Sequence, residues 1–411
     1  MTAAVPTTPS VFASAHYRWY AASQAVSVAG TMMAYTALYW LTLHVANGNA
    51  FELAVLVAAQ FLPMLFFSRR AGAIVARHSA VRVVTVTQAA QVIGSLALGL
   101  PLLAGWMPLW YLWALSFAVG CVLTVDVPAR QMFMLDLVGD ANLRQGSSLY
   151  AAVTGTAKIA GPGLAGLIIA AVGEAAVFLI NAASFLLVII VLVWISRSIH
   201  GTYASPRGTS DTGRRFRWLL DLPHGVQAAV LMALLVGGFG IQFEVTNPLM
   251  ATRVFHLGAL GFGLLGTLNY VGGIAGNFYS ARRPDPKAKE FLVWAALFGI
   301  AETIAALMPV AWAYGILMIV IGAAIQLFAV SSTVYVQKSV SDVQRGYALS
   351  AYNAGFMGFV PGGSFAVAGL AALAGTRWAL IVPGTVILTC TIAGLAALEV
   401  GRVRVQAIKA N

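Results

Sequence analysis

Residues 175–195 read AAVFLINAASFLLVIIVLVWI, an apolar run without a single charged side chain. A helix needs roughly 20 such residues to cross the hydrocarbon core of a bilayer, so this stretch predicts a transmembrane helix. The rest of the chain has the same character, because 60% of its 411 residues are hydrophobic, only 9% are charged and the mean hydropathy is +0.85. Soluble domains carry about 25% charged residues. The composition therefore excludes a water-soluble fold and predicts an all-α polytopic membrane protein.

Apolar runs bounded by glycine, proline or charged residues predict twelve spans in all. They are residues 19–45, 51–67, 81–103, 109–127, 146–172, 175–195, 226–247, 260–280, 291–308, 312–336, 347–374 and 378–398. One long polar interruption, residues 196–223, divides the spans six and six. We expect it to be a cytosolic linker between an N-terminal bundle, 19–195, and a C-terminal bundle, 224–398, with cytosolic ends at 1–18 and 399–411.

The basic residues fall on alternate loops. If the N-terminus is cytosolic, all but three of the 24 Lys and Arg residues lie on the cytosolic side, the exceptions being Lys158, Arg253 and Arg377. The positive-inside rule therefore predicts a multi-pass protein of the inner (cytoplasmic) membrane with both termini in the cytosol. Because topology accounts for the net charge of +11, nucleic acid is not expected as a partner. Residues 1–17 lack the pattern of a cleaved signal peptide, so the first span is expected to be permanent.

The two halves of the chain echo each other at an offset of about 200 residues. The shared features are Asp140, Arg144 and the run 161–163 in the first half, and Asp342, Arg345 and the run 361–363 in the second. Two pseudo-symmetric six-helix bundles of this kind are typical of secondary transporters, which handle substrate near the membrane midplane. No Lys follows a Gly, so the P-loop of ATPases is absent, and the two cysteines form no CxxC motif. We expect no enzymatic activity, no cofactor and no metal site.

The ionisable residues of interest within predicted spans are Asp126, Lys158, Glu244 and Glu302. A charge at the bilayer centre costs about 2.5–3.5 kcal/mol on insertion scales, so such residues tend to face a cavity or a partner. Lys158 is either a cavity cation, which binds a polar or anionic substrate group or pairs with a carboxylate, or a lysine that snorkels to the interface. Glu302 is either a proton-coupling group or a packed, neutral carboxylic acid. Glu244 is either a proton site at the cavity mouth or a solvated interface residue.

Polar and aromatic residues on several spans are candidates to line a substrate cavity. They are Gln24, Tyr35, Tyr39, Gln242, Asn269, Gln326, Tyr352 and Asn353. A mostly apolar pocket with a few amides and phenols suits bulky amphiphiles better than sugars. Each of these side chains can instead hold two helices together.

Three stretches resemble the major facilitator superfamily, and within it the twelve-span drug and siderophore exporters of the enterobactin-exporter and macrolide-efflux type. They are the loop 72–84, the run from Asp126-Val-Pro-Ala-Arg130-Gln to Asp136, and residues 158–185 with Gly161-Pro162. The second half matches through Gln337, Asp342 and Arg345-Gly346. The family's loop signature has an Asp where this chain has Ala76, which departs from the family's cytosolic charge lock.

The resemblance implies a cytosolic gate and a helix hinge. The implied gate residues are Gly72, Arg77, Asp126, Arg130, Asp342 and Arg345, and the hinge residues are Gly161, Pro162, Gly166 and Pro361. Asp126 and Arg130, spaced i,i+4, would form a latch with Arg77 as a third member. The alternative is a surface salt bridge worth less than about 1 kcal/mol.

The sequence and the resemblance together predict a monomeric secondary active transporter embedded in the lipid bilayer. We expect it to work by rocker-switch alternating access as a proton antiporter, exporting an amphipathic drug, siderophore or secondary metabolite. Two alternatives remain, a lipid or lysolipid flippase on the same fold and a non-transporting membrane sensor or assembly protein.

Overall fold

The computed structural model describes residues 14–138, 142–198, 222–284 and 286–410, and within them it contains helices and no strand. Six long helices come first: α1 Ala15–Val45, α2 Ala50–Arg77, α3 Ala80–Leu103, α4 Leu109–Val138, α5 Leu143–Val172 and α6 Glu174–Ser198. Eight follow: α7 His224–Leu235, α8 Phe243–Leu249, α9 Ala259–Ala281, α10 Ala288–Leu307, α11 Ala311–Ser339, α12 Asp342–Gly358, α13 Val360–Leu373 and α14 Trp378–Ala410. In this part of the chain, twelve helical segments are long and apolar enough to span a membrane, which confirms the predicted all-α class and number of spans. Most of the predicted linker, and the side chains of Asp342 and Arg345, lie outside the described residues.

The fourth span is longer than predicted. We expected it to end at Val127, but α4 continues to Val138 and passes through Pro128 without a break. The prediction was misled by the charged residues Asp126 and Arg130, which usually mark the end of a span. In the structure they pair with each other inside the helix, so they do not terminate it.

Two spans of the second half are interrupted. The seventh contains π-helical turns at Val236–Gly240 and Met250–Val254, and residues 241–242 between α7 and α8 are not helical. The eleventh changes from α12 to α13 at Phe359. The seventh span, predicted over 226–247, is confirmed, but it runs from Gly225 to Val254 and its helix is interrupted. Hydropathy does not register where a backbone ladder is broken. Breaks of this kind in membrane helices occur where neighbouring protein satisfies the freed backbone groups.

The contacts divide the chain into two units. The first comprises Met1–Leu38 and Phe66–Ser210, and the second comprises Tyr39–Leu65 and Asp211–Asn411. In the first unit, α1, α3, α4 and α6 share a buried core that includes Tyr17, Tyr20 and Phe133. In the second unit, α9 packs on α11, α10 packs on α14, and α7 packs on α12.

The α1–α2 loop and the start of α2 belong to the second unit. The loop turns through Asn47 and Gly48, both with positive φ, and the Gly48 carbonyl accepts a 2.6 Å hydrogen bond from Arg253 Nη2. Further along, Ser364 Oγ of α13 donates to the carbonyl of Ala54 at 3.3 Å. Hydrogen bonds to the backbone of this loop and of the start of α2 thus hold both within the second unit.

Candidate functional site

A buried polar cluster lies where α1, α3 and α4 meet in the first unit. Asp126 is 0% exposed, and its Oδ1 accepts hydrogen bonds from Thr87 Oγ1 at 2.6 Å and from Gln88 Nε2 at 3.1 Å. Its Oδ2 forms an ion pair with Nη2 of Arg130, which is 8% exposed. Arg130 Nη1 in turn donates to Gln24 Oε1 at 3.2 Å. The pair is therefore buried and hydrogen-bonded to polar side chains of α1 and α3, and the alternative of a surface salt bridge is wrong.

Local structure explains how this cluster forms. Residues four apart in a helix share a face, which brings Asp126 and Arg130 together on α4. A buried ion pair is tolerated when further hydrogen bonds satisfy the charged groups, and α3 provides these through Thr87 and Gln88. Sequence reasoning missed both residues, although two adjacent polar side chains in an otherwise apolar span were a usable signal.

Two tyrosines line the same cluster. Tyr20 OH donates to the Arg130 carbonyl at 3.3 Å, and the ring of Tyr20 stacks on that of Tyr150 with centroids 6.2 Å apart. Tyr20 also meets Phe133 edge to face at 4.8 Å. Aromatic rings thus pack beside the charged groups of the cluster.

Two other predicted gate residues, Arg77 and Gly72, are not part of this cluster. Arg77 is exposed at the end of α2, and the described contacts of Asp126 do not include it. Gly72 is exposed, with nothing near enough to touch an added Cβ.

The predicted hinge residues of α5 are at a close helix contact. A Cβ added at Gly161 would collide with Met32 and would come within 3.0 Å of the Ala29 carbonyl oxygen, so α5 and α1 approach closely there. Pro162 and Gly166 are buried on the same side, and α5 continues through Pro162 without a break. Lys158, one turn earlier, is exposed.

The two carboxyl groups predicted as coupling residues, Glu302 and Glu244, lie in the second unit. Glu302 of α10 is only 2% exposed, and its Oε2 has no hydrogen-bond partner. Tyr314 donates a 2.8 Å hydrogen bond to Asn247 Oδ1. Glu244 is half-buried at the start of α8, and its Oε2 is buried without a partner, so it is not a fully solvated interface residue.

Gln242 lies in the non-helical break that precedes Glu244. Its Nε2 donates to the carbonyl of Gly238 at 2.8 Å and to that of Val360 at 3.3 Å, which ties the break in the seventh span to the start of α13. Pro361 is buried beside it. The break is therefore held in place by a side chain.

The other predicted cavity residues differ in what they contact. Three are bonded to a neighbouring helix: Tyr39 OH to Gln60 Oε1 at 3.0 Å, Tyr352 OH to Ser332 Oγ at 2.7 Å, and Asn269 Nδ2 to the Met318 carbonyl at 3.4 Å. Tyr35 and Gln326 are half-buried, and Asn353 is exposed. Part of the surface of these last three residues is therefore exposed.

Known protein families place these features in context. A family described as transmembrane secretion effector matches residues 4–409. The Staphyloferrin A transporter of Staphylococcus aureus (strain NCTC 8325 / PS 47) is 21% identical over 348 residues, which cover 81% of this chain and 84% of that protein. The uncharacterized MFS-type transporter YfiS of Bacillus subtilis (strain 168) is 24% identical over 217 residues, which cover 53% of this chain and 50% of that protein. The alignment with YfiS therefore spans half of its length.

Solved structures share the fold. The nucleoside transporter NupG superimposes with a TM-score of 0.68 at 13% identity, over 94% of this chain and 100% of that one. A bacterial homologue of the iron transporter ferroportin, in an inward-facing state, gives a TM-score of 0.69 at 14% identity, over 92% of this chain and 98% of that one. At these identities the likeness concerns the fold alone, and it confirms the predicted architecture.

Proposed function

Because the chain belongs to the transmembrane secretion effector family of the major facilitator superfamily, it is a membrane transporter and not an enzyme, and we propose that it exports a small molecule in exchange for protons. The exported substrate is an amphipathic drug, siderophore or other secondary metabolite. The similarity to a staphyloferrin A transporter supports a siderophore. Transport follows a rocker-switch cycle, in which the substrate site opens to one side of the membrane at a time.

The observation that carries the proposed proton coupling is the isolated carboxyl group of Glu302. It is buried within a membrane span and its Oε2 has no partner. A charged carboxylate is costly in such a place unless water or a cation reaches it, so ionisation requires a different conformation. A group with this property shifts the balance between two conformations when it binds or releases a proton. Glu244, with its own unpartnered Oε2, is the second proposed coupling residue.

The gate and the hinge complete the proposed cycle. We propose that Asp126 and Arg130 anchor the cytosolic gate, to which Gly72, Arg77, Asp342 and Arg345 also belong. The close contact of α5 with α1 at Gly161 supports a hinge there, together with Pro162 and Gly166. Pro361, at the start of α13, is the corresponding hinge residue in the second half.

We further propose that the transporter is a monomer in the inner membrane with both termini in the cytosol. Tyr35, Gln326 and Asn353 contact the substrate. Tyr39, Gln242 and Asn269, which bond to protein groups, shape the cavity and position its walls.

The test is transport by the purified protein in proteoliposomes under an imposed pH gradient. Staphyloferrin A, erythromycin and rhodamine 123 serve as substrates, and an enclosed pH dye reports proton movement. We expect the gradient to drive at least one substrate, with coupled proton counterflow. Glu302→Gln is expected to lower gradient-driven flux at least about tenfold, which corresponds to about 1.4 kcal/mol.

The matched control is Glu174→Gln, which changes a half-buried glutamate at the first turn of α6. It should keep wild-type flux. Wild-type flux in both Glu302→Gln and Glu244→Gln would remove the proposed coupling roles. Transport that ignores the pH gradient altogether would favour a flippase.

A further inference from the structure

Lys158 lies on the protein-facing side of α5 and yet is exposed. It precedes Gly161 by three residues, Pro162 by four and Ala165 by seven, so all four share one helix face. The other three are buried, and Gly161 contacts α1. A lipid-facing lysine would lie on the opposite side of α5. Lys158 therefore extends from the face of α5 that packs on α1 at Gly161, at a position where protein does not cover it.

The charges near Lys158 do not balance. Lys158 is close enough to Arg130 for the two positive charges to repel each other, and the carboxylate of Asp126 is already paired with Arg130 and bonded to Thr87 and Gln88. Among the described residues, no carboxylate forms an ion pair with Lys158. Two cations thus face one carboxylate, which leaves one positive charge uncompensated.

An uncompensated cation inside a membrane span is costly, and such residues usually mark the path of an ion or substrate. Arg130 is held in place by Asp126 and Gln24, so its charge is fixed. The exposed Lys158 side chain, by contrast, is free to reach a ligand.

We propose that Lys158, with the fixed charge of Arg130 beside it, binds a carboxylate group of the exported molecule. The substrate is thus an amphipathic organic acid, whose acidic group is held by Lys158. This inference rests on the proposed export function and specifies its substrate class.

The test compares each acid with its own ester, because the two differ only in the charge that Lys158 would recognise. Rhodamine 110 and its methyl ester rhodamine 123 form one pair, and fusidic acid and its methyl ester form a second. Transport of all four is measured in proteoliposomes of phosphatidylcholine. The wild type should move the acid at least about tenfold faster than the ester, as expected for one partly desolvated charge pair.

The variants separate recognition from folding. Lys158→Gln should lose about tenfold in acid transport and keep ester transport within about twofold, whereas Lys158→Arg should keep the preference and Lys158→Glu should reverse it. Lys287→Gln, the same change at an exposed loop position, is the control. Each variant is first shown to keep the wild-type Tm.

The outcomes distinguish the two proposals. If the wild type moves both members of a pair equally, or if Lys158→Gln leaves the preference intact, the inference is wrong and the export function stands. If the preference appears only when anionic phosphatidylglycerol is present, Lys158 binds a lipid headgroup and the inference is also wrong. If the wild type moves none of these probes or those of the earlier assay, export itself fails and the inference fails with it.

Discussion

The stability of the protein is expected to depend on the buried ion pair of Asp126 and Arg130. Both side chains are buried, and every described polar contact of the Asp126 carboxylate is with a residue of α3 or α4. Removing one partner of a buried pair leaves a lone charge and costs about 3–5 kcal/mol. We therefore predict that Asp126→Asn lowers the Tm of the purified protein by several degrees. Thermal unfolding in detergent, followed by intrinsic fluorescence, measures the change.

A double variant makes this prediction specific. Asp126→Asn combined with Arg130→Gln removes both charges, so it should be more stable than Asp126→Asn alone. The control is the exposed pair of Arg283 and Glu290, with an N–O distance of 3.3 Å, where Glu290→Gln should cost less than about 1 kcal/mol. Equal losses in the single and double variants would show that packing, and not charge, stabilises this part of α4.

Single residues also show where sequence reasoning stops. The spacing of Asp126 and Arg130 correctly predicted that they pair, because helix geometry is local. Their burial depends on α3, and no local rule brings Thr87 and Gln88 to the same carboxylate. Tyr39 was predicted as a cavity residue for its type, but its hydroxyl is bonded to Gln60. The type of a residue predicts which hydrogen bonds its side chain can form, whereas tertiary packing determines which group it bonds to.

At the scale of elements, the break between α7 and α8 packs against the break between α12 and α13. Gly363 of α13 approaches so closely that an added Cβ would overlap the carbonyl oxygen of Gly238. Because the contact is with a backbone atom, an added methyl group could be accommodated only by a shift of one of the two helical segments. We predict that Gly363→Ala destabilises the protein by at least about 3 kcal/mol, at the upper end of overpacking effects. Size-exclusion profiles and Tm values of the purified protein report the loss.

The same helix offers a matched control in Gly369, where an added Cβ would touch nothing within 4 Å. Gly369→Ala should leave the Tm unchanged or raise it slightly, since alanine has the higher helix propensity. If Gly363→Ala were as stable as Gly369→Ala, the two breaks would not be in the close contact described above. The sequence could not predict this contact, because Gly237, Gly238 and Gly363 all lie within apolar runs that predict continuous helices.

At the scale of the whole molecule, the number of spans could be predicted because it depends on composition alone. Each apolar segment must satisfy its own backbone hydrogen bonds in lipid, and a helix does so without help from the rest of the fold. The positions of Lys158, Glu244 and Glu302 within spans followed in the same way. What the side chains contact did not follow, because a hydropathy pattern contains no information on neighbouring helices.

Orientation is a further property of the whole chain, and it rests on the distribution of basic residues between loops. Ala104, in the α3–α4 loop, is exposed and predicted to lie outside, whereas Lys287, just before α10, is exposed and predicted to lie in the cytosol.

Cys121 and Cys390 are first replaced by alanine, and Ala104→Cys and Lys287→Cys are then introduced one at a time. We predict that a membrane-impermeant maleimide labels Ala104→Cys in intact cells. Lys287→Cys should be labelled only after the cells are opened, because the basic loop that contains it stays on the cytosolic side. Labelling of Lys287→Cys from outside, with Ala104→Cys protected, would show that the predicted topology is inverted.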